Sequence, residues 1–385
     1  MKKSLLALAA LSAFATAAQA QSSVTVYGIL DMGYSDVSTK AVKADDTGVT
    51  TDTKGINNGA GLSGSRLGFK GTEDLGGGLS AGFTFENVIA ADSTTGGIGA
   101  VRQALLSLSS KSMGSVNFGR GNTLGKNHND TFSAFSGGGN FEQGNVAYEV
   151  TRGGSLGVDA KNDASKIRAA VDRSSNQVTY VSPAFSGFTV AAQLVSKSVD
   201  ADDLDGKTES SGTAFQLSYA SGPIAASYTR TDLDSDTQEI AGKTGVAGDA
   251  NTAPVIGVKA ADAVKTKTTV DQFGVTYTMG AVKVFGLYND AEYQATEGAA
   301  KAENKGYDIG ATYTIGKTTL LASFGDGEMK AADATEVTDV SGMQAQVRYA
   351  LSKRTTAYAL YGKTEYKGAT KGESDVTMIG VRHTF

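Results

Sequence analysis

Apolar and polar residues alternate with a period of two along most of the chain, and this pattern constrains the fold more than any other feature. In the stretch 306–316 (GYDIGATYTIG), the odd positions from Tyr307 to Ile315 are apolar and the even positions between them are polar or small. The stretches 268–279 and 340–351 show the same pattern. Such a period indicates β-strands with one apolar face and one hydrated face.

Sixteen segments of this kind are predicted as strands. Most are close to the ~9–11 residues that a tilted strand needs to cross a bilayer. The segments are 23–35, 63–72, 79–89, 99–109, 115–121, 175–182, 187–196, 212–220, 223–231, 268–279, 281–291, 305–315, 318–326, 340–351, 354–366 and 375–385.

The connections between these segments alternate between tight turns and long polar stretches. A soluble β-sandwich has no reason to place every long connection at one end, whereas a bilayer-spanning barrel has short periplasmic turns and long outer loops. The long connections are 36–62, 90–98, 122–174, 197–211, 232–267, 292–304, 327–339 and 367–374.

In lipid, the backbone N–H and C=O groups of a strand need hydrogen-bond partners within the protein. A closed barrel supplies them, because it leaves no strand edge unpaired. The second face of the strands carries Thr, Gln, Gly, Asp and Arg, which suits a water-filled interior rather than a packed core. Sixteen strands enclose an aqueous channel. The sequence therefore predicts an all-β, 16-stranded antiparallel transmembrane β-barrel.

The two ends of the chain fit an exported barrel. Residues 1–20 have the charged, apolar and A-x-A regions of a secretory signal peptide, which leaves 21–385 as the exported barrel and indicates the outer membrane of a Gram-negative cell. In the last strand, alternation places Phe385 on the lipid side as an interfacial aromatic and Arg382 in the lumen. We expect Phe385 to take part in closing the barrel.

Composition excludes several classes of function. The chain has no cysteine and only two histidines, His128 and His383, which are far apart. A thiolate or histidine metal site and a Ser-His-Asp triad therefore have little to build on, and no catalytic residue, metal or cofactor is expected. The formal net charge of −5 makes nucleic acid an unsuitable partner.

Several motifs resemble the general diffusion porins of beta-proteobacteria, of the Neisseria and Burkholderia type. They are SSVTVYGILDMGY, SRLGFKGTEDLGGGLSAGFTFE, RQALLSLSS with GSVNFGRGNT, NQVTYVSPAFSGF and the terminal GVRHTF. The resemblance implies a homotrimer in contact with outer-membrane lipid and lipopolysaccharide. It also implies that the third outer loop, here 122–174, folds inward as a constriction loop, with wall arginines facing acids on that loop.

The resemblance also implies a set of pore residues. A basic wall is expected from Arg66, Lys70, Arg102, Arg120 and Arg173, and constriction-loop acids from Asp130, Glu142, Glu149 and Asp159. Arg102 has the same parity as the apolar residues Leu106 and Leu108, so alternation alone would point it toward the lipid. It can face the lumen only if a bulge interrupts the strand. Arg348 and Arg382 are further candidates for the lumen.

The predicted function is passive diffusion of ions and small hydrophilic solutes, with a moderate preference for anions because the wall is basic. The alternatives are an adhesin or substrate-specific outer-membrane channel and a barrel enzyme such as a protease or phospholipase. An enzyme needs a Ser, His or Asp constellation at one rim, and a sugar channel needs aromatic residues in the lumen. Most aromatics here have the outward parity.

Overall fold

A computed structural model describes most of the chain. The described residues are 23–42, 48–58, 61–92, 97–135, 146–147, 150, 171–200, 206–239, 264–295, 299–332, 337–368 and 371–385.

The described residues form one antiparallel sheet of seventeen strands and a short helix. The helix is α1 (Leu124–Phe132). The strands are β1 (Ser23–Val42), β2 (Gly48–Asn58), β3 (Arg66–Gly76), β4 (Leu79–Ile89), β5 (Ile98–Ser110), β6 (Gly114–Asn122), β7 (Arg173–Val181), β8 (Phe188–Asp200), β9 (Gly206–Ser221), β10 (Ile224–Glu239), β11 (Val264–Met279), β12 (Val282–Gln294), β13 (Lys301–Ile315), β14 (Thr318–Lys330), β15 (Val337–Ala350), β16 (Thr355–Gly368) and β17 (Lys371–Thr384).

The sheet closes on itself because β1 pairs with the last strand on one edge and with the next strands on the other. Residues 29–42 pair with β17. On the opposite edge, residues 23–29 pair with β3 and residues 32–42 pair with β2. Since β2 and β3 occupy one position beside β1, the seventeen strands form a ring of sixteen positions. The predicted 16-stranded antiparallel barrel is confirmed.

The prediction of a long connection at 36–62 was wrong. In the structure β1 continues to Val42 and returns as β2, so most of this segment is a hairpin. Both faces of β2 are polar, and its residues are largely exposed. A hairpin with polar side chains on both faces forms the same backbone hydrogen bonds as any other, but it lacks the apolar alternation by which strands are recognised.

Other long connections are also shorter than predicted, because the strands extend beyond the apolar segments. β10 runs to Glu239 and β11 begins at Val264, which leaves 240–263 of the predicted connection 232–267. The apolar alternation marks only the part of a strand that has a lipid face, so it ends before the backbone pairing does.

The two faces of the barrel have the predicted character. On β11, Phe273 and Val275 are 50% and 49% exposed, whereas Gln272 between two outward residues is fully buried. The outer surface of the barrel is therefore apolar and its inner face is lined with hydrogen-bonding side chains. Among the described residues, no helix is long and apolar enough to cross a membrane.

Phe385 completes the pairing of the first strand. Its backbone N–H donates to the carbonyl of Gly28 at 3.1 Å, and its carbonyl accepts from the N–H of Gly28 at 3.0 Å. The ring lies against Gly28, where a Cβ atom would come within 2.3 Å of Cζ of Phe385. Phe385 therefore holds β1 through both its backbone and its ring.

Deletion of Phe385 is expected to lower the yield of folded barrel more than Phe385→Ala does. The deletion removes two backbone hydrogen bonds and the ring contact, whereas the alanine variant loses only the ring contact. Refolding yield in detergent micelles, followed by the mobility of heated and unheated protein in gel electrophoresis, measures the difference. Equal yields for the two variants and the parent would contradict this role of Phe385.

Candidate functional site: a charged inner wall

A buried carboxylate organises the charged residues of β3, β4 and β5. Glu86 is 3% exposed and accepts hydrogen bonds from Arg102 (Nε–Oε1, 2.7 Å) and from Tyr27 (Oη–Oε2, 3.1 Å). Nη1 of Arg66 lies 3.7 Å from the same carboxylate. Burial of this acid is favourable only because cationic partners surround it.

Sequence reasoning missed Glu86 and Tyr27. The alternation of β4 could have indicated that Glu86 faces the lumen. Phe83 and Phe85 lie on the outer face, so Glu86, of the other parity, lies on the inner face. Tyr27 faces the lumen beside Gly68, where a Cβ atom would come within 2.3 Å of the Tyr27 ring. The wall is therefore a mixture of bases and an acid rather than a purely basic surface.

Arg102 reaches the inner face because β5 is bulged against β4. The register passes from Glu86 opposite Gln103 to Asn87 opposite Val101, so Arg102 has no partner of its own across the pair. An extra residue in one strand reverses the alternation of side chains beyond it. This bulge reconciles an inward Arg102 with the outward Leu106 and Leu108.

Arg120 lies opposite a second bulge, in which the extra residue belongs to β7 rather than to the strand of the arginine. The pairing of β6 with β7 shifts between Gly119 and Gly121, and Arg120 lies between them. Gly119 has φ +126°, a backbone conformation that favours glycine. The guanidinium of Arg120 donates to the carbonyl of Val101 at 2.9 Å and to Oγ of Ser175 at 2.8 Å.

The remaining predicted wall bases lie at different distances from Glu86. Arg173 forms an ion pair with Asp172 at 3.3 Å and is close enough to Arg66 to repel its charge. Lys70 has the inner parity of Arg66 but is exposed, with Nζ 5.3 Å from the centroid of the Tyr27 ring. The structure thus brings Arg66 and Arg102 together at Glu86, with Arg173 nearby and Lys70 further along β3.

Arg348 and Arg382 belong to a second charged cluster on the inner wall, around Asp31. Asp31 lies directly opposite Arg382 in the pairing of β1 with β17. Arg382 donates to Oγ of Ser63 at 3.3 Å, and Arg348 donates to Oε1 of Gln346. The two arginines repel each other, and Asp31 attracts Arg348.

Helix α1 begins the predicted constriction loop 122–174 and packs on the inner face of β10–β12. Thr123 caps the helix, with its hydroxyl accepting from the N–H of Lys126 at 3.1 Å. Nδ1 of His128 lies 3.0 Å from Oγ1 of Thr229, and Oδ1 of Asn129 accepts from Gln272 at 2.8 Å. Burial lowers the pKa of His128 to about 4, so this side chain is neutral near pH 7.

A second described part of the same connection is held by Asp308 of β13. Its carboxylate accepts from the N–H groups of Val146 (3.2 Å) and Ala147 (2.6 Å). The carbonyl of Ala147 accepts from Nδ2 of Asn289 at 2.7 Å. Strands β10–β13 lie about half a turn of the ring from β3–β5, so these contacts are made on the wall opposite Glu86.

Of the predicted loop acids, only Asp130 is described. It forms an ion pair with Lys126 at 3.1 Å, one helical turn away, and its charge attracts Arg66. Glu142, Glu149 and Asp159 lie outside the described residues. Within the described ranges, no group of three or more His, Asp or Glu side chains is arranged to hold a metal ion.

Comparison with known proteins gives the family of the chain. Residues 7–369 match the model of the Gram-negative porin family. The chain is 34% identical over 259 residues to an outer membrane porin protein of Bordetella pertussis, a match that covers 63% of this chain and 62% of that relative. It is similarly 34% identical over 230 residues to outer membrane porin protein 32 of Delftia acidovorans, covering 59% of this chain and 58% of the relative.

A solved structure shares the fold. The anion-selective porin from Comamonas acidovorans matches with a TM-score of 0.68 at 22% identity, covering 95% of this chain and all of that one. The curated relatives are outer membrane proteins, and the protein is therefore located in the Gram-negative outer membrane. Taken with the closed barrel, the match over residues 7–369 shows that this chain belongs to the Gram-negative porin family.

Proposed function

We propose that the protein is a passive diffusion channel for ions and small hydrophilic solutes, with a moderate preference for anions. The observation that carries the proposal is an arc of inner-wall arginines, on β15, β17, β3, β5, β6 and β7, that outnumbers the acids among them. The arginines are Arg348, Arg382, Arg66, Arg102, Arg120 and Arg173, and the acids are Asp31, Glu86 and Asp172.

The sign of the preference follows from where the charges lie rather than from the net charge of the chain. Carboxylates in bulk water are screened beyond ~8 Å at physiological salt. A wall arginine acts on an ion a few ångström away in a medium of lower effective dielectric, where one charge at ~4 Å contributes up to about 4 kcal/mol before screening. The wall therefore outweighs the acidic total of the chain.

The constriction is proposed to lie between the arginines and the connection 122–174. Contacts of α1 and of Val146 and Ala147 with the opposite wall support an inward course for this connection. Asp130, Glu142, Glu149 and Asp159 are the loop acids proposed to face the arginines. A solute crossing this gap is sorted by width and fixed charge, without a catalytic group or cofactor.

The assembly is proposed to be a homotrimer in contact with outer-membrane lipid. The exposed apolar outer face supports burial against lipid and neighbouring barrels. Each barrel of the proposed trimer has its own lumen and conducts through it. Diffusion through that lumen requires no enzymatic step.

The reversal potential in a salt gradient tests the proposal. The parent channel in a planar bilayer is expected to be anion-selective, and Arg66→Gln is expected to lower this preference because it removes a wall charge beside Glu86. Arg230→Gln is the matched control, since Arg230 is exposed on the outer face of β10. A cation-selective parent, or equal shifts in the two variants, would overturn the proposed role of the wall.

Asp308→Ala is expected to loosen the connection 122–174 and to make the open-channel current noisier. The substitution removes two hydrogen bonds to a carboxylate, each contributing about 1.5–3 kcal/mol. Loss of both, about 3–6 kcal/mol, raises the population of undocked loop by roughly a hundredfold or more. Single-channel recording measures the current fluctuations.

The control for that experiment is Asp326→Ala. Asp326 is an exposed acid on the outer face of β14, across from Tyr307. Current noise that rises equally in both variants, or in neither, would show that Asp308 does not hold the loop.

A further inference from the structure

Part of the connection from β2 to β3 lies on the inner face of the barrel. Residues 61–65, here called the strap, directly precede Arg66. Leu62 of the strap packs in a buried cluster with Tyr358 of β16 and Met378 of β17, both on the inner face. The strap therefore crosses the inner wall at the seam where the first and last strands meet.

A break in the pairing of β1 explains why the strap docks there. Ile29 is the last residue of β1 that pairs with β3, and Met32 is the first that pairs with β2. Asp31 falls in this break, and its N–H and carbonyl bond instead to the hydroxyl of Ser65, at 2.9 Å and 3.3 Å. Buried backbone groups need partners, so this hydroxyl fixes one end of the strap.

The carboxylate of Asp31 fixes the middle of the strap. Its Oδ2 accepts from the N–H groups of Leu62 and Ser63, at 2.7 Å and 2.8 Å. Its Oδ1 accepts from Oη of Tyr358 at 2.6 Å. All three donors are neutral, and Asp31 is fully buried beneath them. The strap and Tyr358 therefore separate this acid from the lumen.

Arg382 stands directly opposite Asp31 in the pairing of β1 with β17. Residues so placed have Cβ atoms ~4.5–5.5 Å apart, and opposite charges at such positions normally attract and pair. Here the two form no ion pair, and the guanidinium donates to Oγ of Ser63 at 3.3 Å instead. Its Nε is buried without a partner. Within the described residues, Ser63 thus provides the only hydrogen-bond acceptor of the Arg382 side chain.

We propose that Ser63 is a positioning residue that keeps the charge of Arg382 available to permeating anions, an inference that rests on the proposed anion preference. The hydroxyl holds the guanidinium apart from the carboxylate opposite, whose oxygens are occupied by the donors of the strap and of Tyr358. An arginine paired with Asp31 would contribute little field to the lumen, because opposite charges in contact nearly cancel for a more distant ion. The strap therefore covers the acid of this cluster and leaves its arginine active.

Ser63→Ala tests the proposal, because it removes the hydroxyl and leaves the backbone of the strap in place. The N–H bonds to Asp31 remain, as does the bond from Nε of Arg66 to the carbonyl of Gly64 at 2.8 Å. Arg382 is then expected to turn toward Asp31. The ratio of anion to cation permeability should fall about twofold, because pairing cancels part of one wall charge. Reversal potentials in a salt gradient measure this ratio.

Two variants distinguish this role from a general loss of packing. Ser227→Ala is the matched control, since Ser227 is a buried serine of the inner wall whose hydroxyl bonds to that of Ser218 at 3.1 Å. Ser63→Thr keeps an oxygen for Arg382. Both variants are expected to have the reversal potential of the parent. A shift in Ser227→Ala equal to that of Ser63→Ala, or a shift in Ser63→Thr as large as that of the alanine variant, overturns the role of the hydroxyl.

A double mutant shows whether Ser63 acts through Arg382. Arg382→Gln alone is expected to lower the permeability ratio more than Ser63→Ala does, because it removes the whole charge. Adding Ser63→Ala in that background is expected to change nothing further, since residues that act through one contact are not additive. A shift that persists in the Arg382→Gln background overturns the proposal. An unchanged or increased ratio in Ser63→Ala alone also overturns it.

The selectivity of the parent tests the proposed function separately. A cation-selective parent would overturn the anion preference, whereas a shift in Ser63→Ala that disappears in the Arg382→Gln background would still support the positioning role. An anion-selective parent with no shift in Ser63→Ala would overturn only the role of Ser63. The mobility of heated and unheated protein in gel electrophoresis confirms that each variant is folded before it is recorded.

Discussion

Glu86→Gln is expected to strengthen the anion preference of the channel. The substitution removes the carboxylate that lies 2.7 Å from Arg102 and 3.7 Å from Arg66, while its amide oxygen still accepts a hydrogen bond. One uncompensated charge near a permeating ion contributes up to about 4 kcal/mol before screening. If ~1 kcal/mol survives screening, the ratio of anion to cation permeability rises roughly fivefold.

The control for Glu86→Gln is Glu365→Gln, which makes the same chemical change at an outward position on β16. Glu365 pairs with Lys363 at 2.8 Å on the outer face, where its charge does not meet the lumen. Reversal potentials in a salt gradient are compared for the parent and both variants. A shift toward cations in the Glu86→Gln channel, or no shift, would mean that this acid does not moderate the wall.

The two substitutions at the Glu86 cluster are expected to shift the anion preference of the channel in opposite directions, which makes them a stringent pair. Arg66→Gln lowers anion preference and Glu86→Gln raises it, although both alter the same group of contacts. A nonspecific change in pore width would move both variants in one direction. Opposite shifts therefore report the fixed charge of the wall.

The strands and their faces could be predicted from the sequence because lipid and water impose a strict alternation on them. That rule fails where backbone geometry intervenes. Arg102 and Arg120 share the parity of outward residues and turn inward only through bulges, whose positions depend on pairing with β4 and β7. The second bulge is marked by positive φ angles on both strands, +126° at Gly119 and 52° at Asn176.

Contacts across the barrel could not be predicted, because they join residues far apart in the chain. Asp308 binds the N–H groups of residues 146 and 147, and nothing in the local pattern of either segment indicates the other. The polar hairpin of β1 and β2 could not be predicted for a different reason. Its side chains face water on both sides and so carry no alternation.

Asp31→Ala is expected to reduce the stability of the barrel more than any other substitution considered. Asp31 is fully buried where the first and last strands meet, and its carboxylate accepts from the N–H groups of Leu62 (2.7 Å) and Ser63 (2.8 Å) and from Oη of Tyr358 (2.6 Å). Alanine leaves these donors, and the charge of Arg382 opposite, without their acceptor. Removing one partner from such a buried charged network costs about 3–5 kcal/mol.

Urea unfolding of the protein in lipid vesicles measures this loss of stability. Two further variants show whether it comes from the buried carboxylate and which of its interactions matter. Asp31→Asn keeps an oxygen for the two N–H groups and an amide that can donate to Tyr358, so we expect a smaller loss than with alanine. Asp36→Ala removes an outward acid on the same strand, paired with Lys54 at 2.8 Å in an exposed position, and little change is expected because exposed pairs are weak. If Asp31→Ala unfolds at the same urea concentration as Asp36→Ala, the buried carboxylate does not hold the seam between β1 and β17. If Asp31→Asn is as unstable as Asp31→Ala, the negative charge opposite Arg382, rather than the hydrogen bonds to residues 62, 63 and 358, holds the seam.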